Sequence, residues 1–323
     1  MTEKIVARIV RETGIANLLD VLGERLAPTD LQSLLLAVFR RRAAHQTPRR
    51  VLEQFERNPF VRPAMLDAAA LMQLDRLAFA CAMPQFEPVE LSPLTPLGTC
   101  SALAPVDQNR VVATIRNTEV VSDATNVLAL ECTLRRRVQR RQPGAGVQQV
   151  RLCASHRFVR AQQYNDPNMR AHFRMFTLCT AGRSGAGSDF EARTLAEQVD
   201  FYLRFLVASQ EQGCHYSGLR VAFTPLAGDP EREILQHVIT ALAEQFPAAL
   251  LEFDPNPATV PGYYQWVRFQ IHARDSQGTE YMLGDGGFTD WTQQLLSDNR
   301  ERLLSSGIAI ERMLMLFGPE RET

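Results

Sequence analysis

The sequence predicts an α+β fold, in which helices flank a mostly antiparallel sheet and a helical module precedes that core. Three observations support this prediction. Leucine-rich stripes recur at helical spacing until about residue 82, short β-branched runs broken by proline and glycine follow, and long amphipathic segments interrupt those runs. Because the strands do not alternate strictly with helices, the pattern favours α+β over a parallel, doubly wound sheet.

The first part of the chain, residues 1–85, is predicted to be a helical module. In "PTDLQSLLLAVFRRR", Thr29 is the predicted N-cap and Gln32 occupies the reciprocal capping-box position. In "TPRRVLEQFERN", Thr47 is the predicted N-cap and Pro48 occupies the first helical position. The apolar faces of these helices indicate core or packing surface.

The second part, residues 86–323, has the pattern of a sheet-bearing core. Its strand-like runs are "HRFVRAQ", "RAHFRMFTLCT", "LRVAFTPL", "AALLEFD", "YQWVRFQIHAR" and "TEYMLG". The segments "EARTLAEQVDFYLRFLVASQEQ" and "DPEREILQHVITALAEQF" predict amphipathic helices. From "DWTQQLL" onwards, the sequence predicts a helical C-terminal end.

Composition excludes several functional classes. The 323 residues carry a formal net charge of −1, so no overall field attracts DNA or an anionic membrane. No run is long and apolar enough to span a bilayer. The six cysteines form no C-x-x-C motif, and the six histidines lack metal-ligand spacing. These observations predict a reduced, cytoplasmic protein that binds no metal through its own side chains.

The most basic run, "ECTLRRRVQRRQPGAG", has two interpretations. It contains Arg135, Arg136, Arg137, Arg140 and Arg141. The run is either a local phosphate or RNA patch, or a solvated helix end whose cations suit the helix dipole. We favour the solvated helix end.

The segment from Ser155 to Phe176 predicts a hairpin rich in arginine. The strand "HRFVRAQ" leads into a polar loop, "QYNDPNM", and a returning strand, "RAHFRMFTLCT". An arginine binds phosphate through two parallel N–H bonds, and a phenylalanine face can stack on a purine. On its own, the segment also fits a surface hairpin with solvated arginines.

The order "VRAQ", loop, "HFRMF" resembles motif 2 of class II aminoacyl-tRNA synthetases. The resemblance implies that Arg160 grips the α-phosphate and the substrate carboxylate, and that His172 contacts the γ-phosphate. It also implies that Phe176 stacks on adenine. Gln162 stands where this family usually has glutamate.

Near the C-terminus, "SSGIAIERML" resembles motif 3 of the same family. The resemblance places Arg312 on the opposite face of adenine. Ala309 stands at the second glycine of the motif.

Three further segments resemble the histidyl-tRNA synthetase branch of this family. They are "GYYQWVRFQIHA", "GDGGFTDWTQQLL" and "RNTEVVSDATNVLALE". The resemblance implies substrate binding, including an acidic partner for the substrate ammonium. That partner is Asp123, and the other residues matched in these segments are Thr125, Tyr263, Tyr264, Gly286, Gly287 and Asp290.

Three positions depart from that branch. Thr259 stands where the branch has an arginine that helps to activate the carboxylate, and Leu178 and Gly182 stand where glutamine and glutamate read the imidazole. A site that loses these hydrogen-bonding groups loses its polar ligand, so histidine is not the expected substrate. The chain is also expected to lack a C-terminal anticodon-binding domain.

Two functions remain open at this stage. The first is a class II synthetase-like protein that binds ATP with Mg²⁺ and adenylates a small amino or carboxylic acid other than histidine. A homodimer is expected, and the protein or RNA acceptor is left open. The alternative is a non-catalytic regulatory paralogue that resembles the regulatory subunit of ATP phosphoribosyltransferase. Thr259 favours the alternative, whereas retention of Arg160, Phe176 and Arg312 favours the enzyme.

Overall fold

The computed structural model describes most of the 323-residue chain. The described residues are 2–104, 106–141, 148–162, 170–185, 187–226, 228–254, 260 and 262–319.

The N-terminal module is helical, as predicted. Its helices are α1 (Thr2–Thr13), α2 (Leu18–Asp20), α3 (Pro28–Ala44), α4 (Pro48–Arg57) and α5 (Ala68–Ala82), with a π-helical turn over Val21–Arg25. Thr47 caps α4 as predicted, since its side chain accepts from the amide of Arg50. The cap predicted at Thr29 is wrong. Proline is well tolerated in the first helical turn, so α3 already begins at Pro28 with Ala27 as its N-cap.

Among the described residues of this module, only those of its last helix are built into the core. The described side chains of α3 and α4 include none that is buried. In contrast, α5 buries Leu71, Leu74 and Ala78 among residues of the main core. The division of the chain after residue 85 stays a prediction.

The core is an eight-stranded, mostly antiparallel sheet, as predicted. Its spatial order is β1-β4-β5-β10-β9-β8-β6-β7, and only the β1/β4 and β6/β7 pairs are parallel. The strands are β1 (Glu87–Pro88), β4 (Val150–Val159), β5 (His172–Arg183), β6 (Ser217–Pro225), β7 (Leu250–Phe253), β8 (Tyr264–Arg274), β9 (Glu280–Thr289) and β10 (Glu301–Ile308). Two short strands, β2 (Leu94–Pro96) and β3 (Thr118–Val120), pair separately.

Helices cover both faces of this sheet. They are α6 (Thr99–Leu103), α7 (Ala124–Gln139), α8 (Asp189–Glu211), α9 (Asp229–Gln245), α10 (Trp291–Leu296) and α11 (Ile310–Phe317). One face packs against α5, α8, α9 and α11, and the other packs against α7 and α10. The helical end predicted from "DWTQQLL" onwards is wrong in part, because α10 gives way to β10, which pairs with both β5 and β9.

The arginine run at the end of α7 contains a residue of the core. Arg136 is 1% exposed and forms a bidentate ion pair with Glu301, at 2.8 and 3.0 Å. The interpretation of the whole run as a solvated helix end is therefore wrong at Arg136. A buried cation requires an equally buried counterion, and β10 supplies it. Arg137 and Arg140 are exposed, as expected.

Candidate functional site

Arg160 lies immediately after β4, where the strand reaches the edge of a cleft. Its amide donates to the carbonyl of Ala171, the residue before β5, at 2.9 Å. Its Nε donates to the carbonyl of Ser122 at 3.1 Å, and another guanidinium nitrogen lies 3.7 Å from Oδ2 of Asp123. The side chain nevertheless remains one-third exposed. Arg160 is therefore a fixed cation that a ligand can reach.

Arg160 and Arg312 line the same cavity, although 152 residues separate them along the chain. Arg312 lies in the first turn of α11, beside β9. The remaining lining includes Phe173 and Asp285 together with apolar side chains of β5, β9 and α11, namely Met175, Met282, Leu283 and Met315. The cavity thus combines cations at its rim with an aromatic and apolar interior.

Phe173 is the aromatic residue of this cavity, and the assignment to Phe176 is wrong. The Arg160 guanidinium lies 5.1 Å from the centre of the Phe173 ring. Phe176 is fully buried and packs between Phe79 and Phe201, with ring centres 5.0 and 5.4 Å away. Alternate residues of a strand face opposite sides of the sheet, so positions three apart cannot share a face.

The role predicted for His172 is also contradicted. Like Phe176, His172 points away from the cleft face of β5. Its Nδ1 lies 2.9 Å from a guanidinium nitrogen of Arg157, and its Nε2 lies 2.6 Å from the carbonyl oxygen of Arg62. Because arginine can only donate, Nδ1 accepts and Nε2–H donates to the carbonyl. His172 therefore attaches the N-terminal segment to the hairpin and does not face the cavity.

Because the aromatic residue of the cavity is Phe173 and not Phe176, the two positions expected to read the substrate side chain also move by three residues. Leu178 packs in the main core, and a Cβ atom at Gly182 would lie 2.5 Å from the Phe190 ring. Both residues face away from the cleft. At the same spacings from Phe173 stand Met175, which lines the cavity, and Cys179, which is fully buried against α7. Neither residue offers the strong hydrogen-bonding group that an imidazole requires.

Asp123 and Thr125 lie together at the start of α7. Asp123 is the N-cap, and its Oδ1 accepts from the amide and the hydroxyl of Thr125, at 2.9 and 2.7 Å. Its Oδ2 faces Arg160. Because Thr125 uses its hydroxyl to hold the carboxylate, its contribution to the site is to orient Asp123.

Tyr263 and Tyr264 form an aromatic wall beside this carboxylate. Their ring centres lie 4.6 Å apart, and Tyr263 also packs against Trp291 at 5.7 Å. Burial raises the pKa of Tyr263 to about 12 and also raises the pKa of Tyr264. Both hydroxyls therefore remain hydrogen-bond donors at neutral pH.

Two of the three glycines of β9, Gly286 and Gly287, serve packing. A Cβ atom at Gly287 would lie 2.5 Å from Tyr264, so only glycine lets that ring rest on the strand. A Cβ atom at Gly286 would lie 2.3 Å from Ser306 and 2.7 Å from Phe269. Because the side-chain direction of Gly286 points into the core, the assignment of Gly286 to substrate contact is wrong.

Sequence reasoning missed an ion pair at the base of the cleft. Arg268 on β8 and Asp285 on β9 approach to 3.2 Å, and Arg268 is only 8% exposed. The Tyr264 hydroxyl lies 3.5 Å from the same carboxylate oxygen. Burial raises the pKa of Asp285, against the opposing effect of Arg268. The sequence did contain a signal for this ion pair, because an arginine and an aspartate stand in two strands that are otherwise largely apolar.

The structure does not place every predicted site residue in the cavity. Thr259 lies outside the described residues, as does the hairpin loop 163–169. Gln162, which begins that loop, is half-buried, and its amide donates to the carbonyl of Arg160 at 2.8 Å. Within the described ranges, no cluster of three or more metal-ligating side chains occurs. No helix in those ranges is long and apolar enough to cross a bilayer.

Known structures share this architecture. An ATP phosphoribosyltransferase regulatory subunit/histidyl-tRNA synthetase from Bacillus halodurans superposes with a TM-score of 0.55 and 13% identity, over 82% of this chain and 84% of that one. The chain has a class II synthetase-like fold. A histidine–tRNA ligase subunit from Alicyclobacillus acidocaldarius gives a TM-score of 0.56 at 12% identity, over 80% of this chain and 96% of that one.

A longer relative in structure is the apo histidyl-tRNA synthetase of S. aureus. It gives a TM-score of 0.51 at 16% identity, over 77% of this chain and 64% of that one. This chain therefore spans less than two thirds of that synthetase. No known family model and no curated protein matches the sequence itself.

Proposed function

We propose that this class II synthetase-like protein binds ATP with Mg²⁺ and adenylates a small amino or carboxylic acid other than histidine. The observation that carries the proposal is the convergence of Arg160, Phe173 and Arg312 on one cavity. An aromatic face stacks on a purine, and an arginine can cover the opposite face of that purine through a cation–π interaction.

Arg160 has the chemistry to hold the reacting groups. A guanidinium binds a phosphate or a carboxylate through two parallel N–H bonds, and Arg160 is already oriented by Ser122 and Asp123. In the proposed reaction, the substrate carboxylate attacks the α-phosphorus, the bond to the bridging oxygen of the β-phosphate breaks, and pyrophosphate leaves. Arg160 stabilises the charge that develops on the α-phosphate and fixes the carboxylate beside it. Mg²⁺ would arrive on the phosphates of the nucleotide.

The acid itself is proposed to bind between Asp123 and the tyrosine wall. Oδ2 of Asp123 lies 3.7 Å from Arg160, beyond hydrogen-bond distance, so it can still accept from a substrate ammonium. Met175 offers an imidazole no strong hydrogen-bonding partner and Cys179 is buried in the core, and a polar ligand deprived of such partners binds poorly. The proposed substrate is therefore an acid other than histidine.

Exchange of radiolabelled pyrophosphate into ATP, measured across a panel of amino and carboxylic acids, tests this function. The expected result is acid-dependent exchange in the wild type and none in Arg160→Ala. Arg137→Ala, a change at an exposed position on α7, is the matched control and should exchange normally. Absence of both exchange and ATP binding in the folded wild type would reject the proposal.

One observation favours a second candidate, a regulatory subunit without chemistry of its own. The chain covers 84% of the Bacillus halodurans protein, whose description includes an ATP phosphoribosyltransferase regulatory subunit. Thr259 also replaces an arginine that the resemblance associates with catalysis. This candidate predicts a stable complex with a catalytic ATP phosphoribosyltransferase chain, and no pyrophosphate exchange. Gel filtration of the mixed chains distinguishes the two candidates.

We also propose that the protein is a cytoplasmic homodimer. Helices α3 and α4 expose large apolar side chains, including Leu34, Phe39 and Phe55. Apolar surface of this kind is commonly buried between subunits related by two-fold symmetry. Light scattering at micromolar concentration should give twice the mass of one chain. The mass of a single chain would contradict the dimer.

A further inference from the structure

We infer that the acid taken by this site carries a carboxamide on its side chain. This inference rests on the proposed acid-activating function, and it concerns the part of the site beyond the reacting carboxylate. It follows from the Arg268–Asp285 pair at the base of the cleft.

The pair lies on the adjacent strands β8 and β9, next to the tyrosine wall. Asp285 lines the same cavity as Arg160, and its side chain is about one-third exposed. The Tyr264 hydroxyl lies 3.5 Å from Asp285, the Tyr264 and Tyr263 rings are 4.6 Å apart, and Arg160 lies 3.7 Å from Asp123, so the two charged pairs lie on either side of the tyrosine wall. In the proposed pose, a substrate bound between Asp123 and Arg160 extends its side chain towards Asp285, which lines the cavity.

The hydrogen-bonding capacity of the pair is largely unused. Arg268 makes one contact with Asp285, at 3.2 Å, and its buried Nε has no hydrogen-bond partner among the described residues. A buried donor left without a partner is costly, on the order of 1–3 kcal/mol. A ligand oxygen beside the guanidinium would give Arg268 a second acceptor next to Asp285. Asp285 still offers acceptor sites to a ligand N–H, because an ionised carboxylate accepts several hydrogen bonds.

The charge of the cluster restricts the side chain further. Asp123 and Asp285 balance Arg160 and Arg268, two against two. An α-amino acid brings an ammonium for Asp123 and a carboxylate for Arg160, which leaves the second pair balanced. A cationic side chain would then meet Arg268, and an anionic side chain would meet Asp285, each at the cost of like-charge repulsion. An apolar side chain would desolvate the pair without offering either ion a further hydrogen bond.

A neutral group with a donor and an acceptor satisfies both members of the pair. A carboxamide carries them on separate atoms: its oxygen can accept from Arg268 while its nitrogen donates to Asp285. A hydroxyl has only one atom for both contacts. The separation of the two charged groups therefore favours the carboxamide.

Hydrolysis-resistant aminoacyl-sulfamoyl adenosines provide the test, because they mimic the adenylate without reacting. Calorimetric titration would compare the glutaminyl and asparaginyl compounds with their near-isosteres, glutamyl, aspartyl and leucyl, and with lysyl, seryl and histidyl compounds. We expect a carboxamide compound to bind at least about tenfold more tightly than its acidic isostere. Equal or tighter binding of an acidic, basic, apolar, hydroxyl or imidazole compound would overturn the inference.

Two substitutions separate the contribution of the pair from that of the nucleotide part. Asp285→Asn leaves Arg268 without its counterion, so preference should move towards the acidic compound. Arg268→Gln leaves Asp285 unbalanced, so preference should move towards the lysyl compound. Arg274→Gln, at an exposed position on β8, is the control and should keep the wild-type ranking. Thermal melting checks that each variant is folded, and an unchanged ranking in folded Asp285→Asn would overturn the inference.

Plain 5′-O-sulfamoyladenosine distinguishes failure of this inference from failure of the proposed function. If this compound binds but the aminoacyl compounds show no preference for carboxamides, the inference is wrong and the nucleotide site stands. If neither this compound nor any aminoacyl derivative binds, the proposed function is wrong, and the inference is rejected with it.

Discussion

The guanidinium of Arg160 lies 5.1 Å from the centre of the Phe173 ring, across the hairpin formed by β4 and β5. The contact shows that the cation and the aromatic face on the two strands of the hairpin point into the same cleft. It also shows which residues of β5 face the cleft: near Phe173, odd-numbered residues face the cleft and even-numbered residues face the core. The assignment of the nucleotide site depends on which residues of β5 face the cleft.

Replacing Arg160 by alanine should weaken the binding of ATP with Mg²⁺ by about 2–3 kcal/mol, because a charge-assisted, bidentate contact to phosphate is lost. Isothermal titration calorimetry measures the change. Arg160→Lys should recover only part of it, since an ammonium cannot form the paired contact. Wild-type affinity in Arg160→Ala would show that the phosphates do not bind there.

Replacing Phe173 and Phe176 in turn tests the corrected register. Phe173→Ala should cost about 1–3 kcal/mol of nucleotide binding, the usual value of one base–aromatic stack. Phe176→Ala should instead lower the free energy of unfolding by about 3–5 kcal/mol through a core cavity. Calorimetry below the melting temperature, together with urea unfolding, measures both effects. If folded Phe176→Ala lost nucleotide binding and Phe173→Ala did not, Phe176 rather than Phe173 would be the residue that stacks on adenine.

Arg136→Ala should be strongly destabilising, by about 3–5 kcal/mol, because it leaves Glu301 buried and unpaired. Urea unfolding measures the change. The neighbouring Arg137→Ala is the control, and it should stay within about 0.5 kcal/mol of wild type, as is usual for exposed positions. The double variant Arg136→Met/Glu301→Leu should recover much of the loss, because no charge is then left buried. Equal effects of the two alanine variants would contradict this role for Arg136.

Glu280 should contribute stability that depends on pH. Its contact with Arg220 lowers the pKa of this carboxyl below its ordinary value of 4.5. Between the two pKa values, the unfolded chain binds more protons than the folded chain, so stability rises with pH. The contribution is complete above about pH 4.5 and is lost as the pH falls through the folded-state pKa.

Urea unfolding from pH 3 to 7 tests this dependence by comparing wild type with Glu280→Gln. The difference between the two proteins should shrink as the pH falls below about 4.5. Glu53→Gln on the exposed surface of α4 serves as the control for the substitution itself. A constant difference across the whole range would contradict the proposed linkage.

The sequence predicted the hairpin, the antiparallel sheet and the two arginines of the cleft, but not the register of the aromatic residue. Phe173 and Phe176 are both near the predicted position, and they lie on opposite faces of β5. Which face of β5 meets Arg160 depends on the pairing of Val159 with His172, because a shift of one residue would turn every side chain of the strand to the other face. Local pattern alone does not reveal that pairing.

The buried ions were beyond sequence reasoning for a different reason. Arg136 and Glu301 are 165 residues apart, and Arg136 stands in a run of arginines that otherwise reaches solvent. Helical periodicity places residues on a face, but it does not say which distant strand covers that face. The Arg268–Asp285 pair joins neighbouring strands, so alternation along β8 and β9 offered a weaker but usable signal.

The most direct test of the nucleotide site is a crystal structure of the protein with Mg²⁺ and a non-hydrolysable ATP analogue. The adenine ring is expected between Phe173 and Arg312, with the α-phosphate in contact with the Arg160 guanidinium. An adenine ring bound elsewhere would contradict the assignment. So would an empty cavity in crystals grown at an analogue concentration that saturates binding in calorimetry.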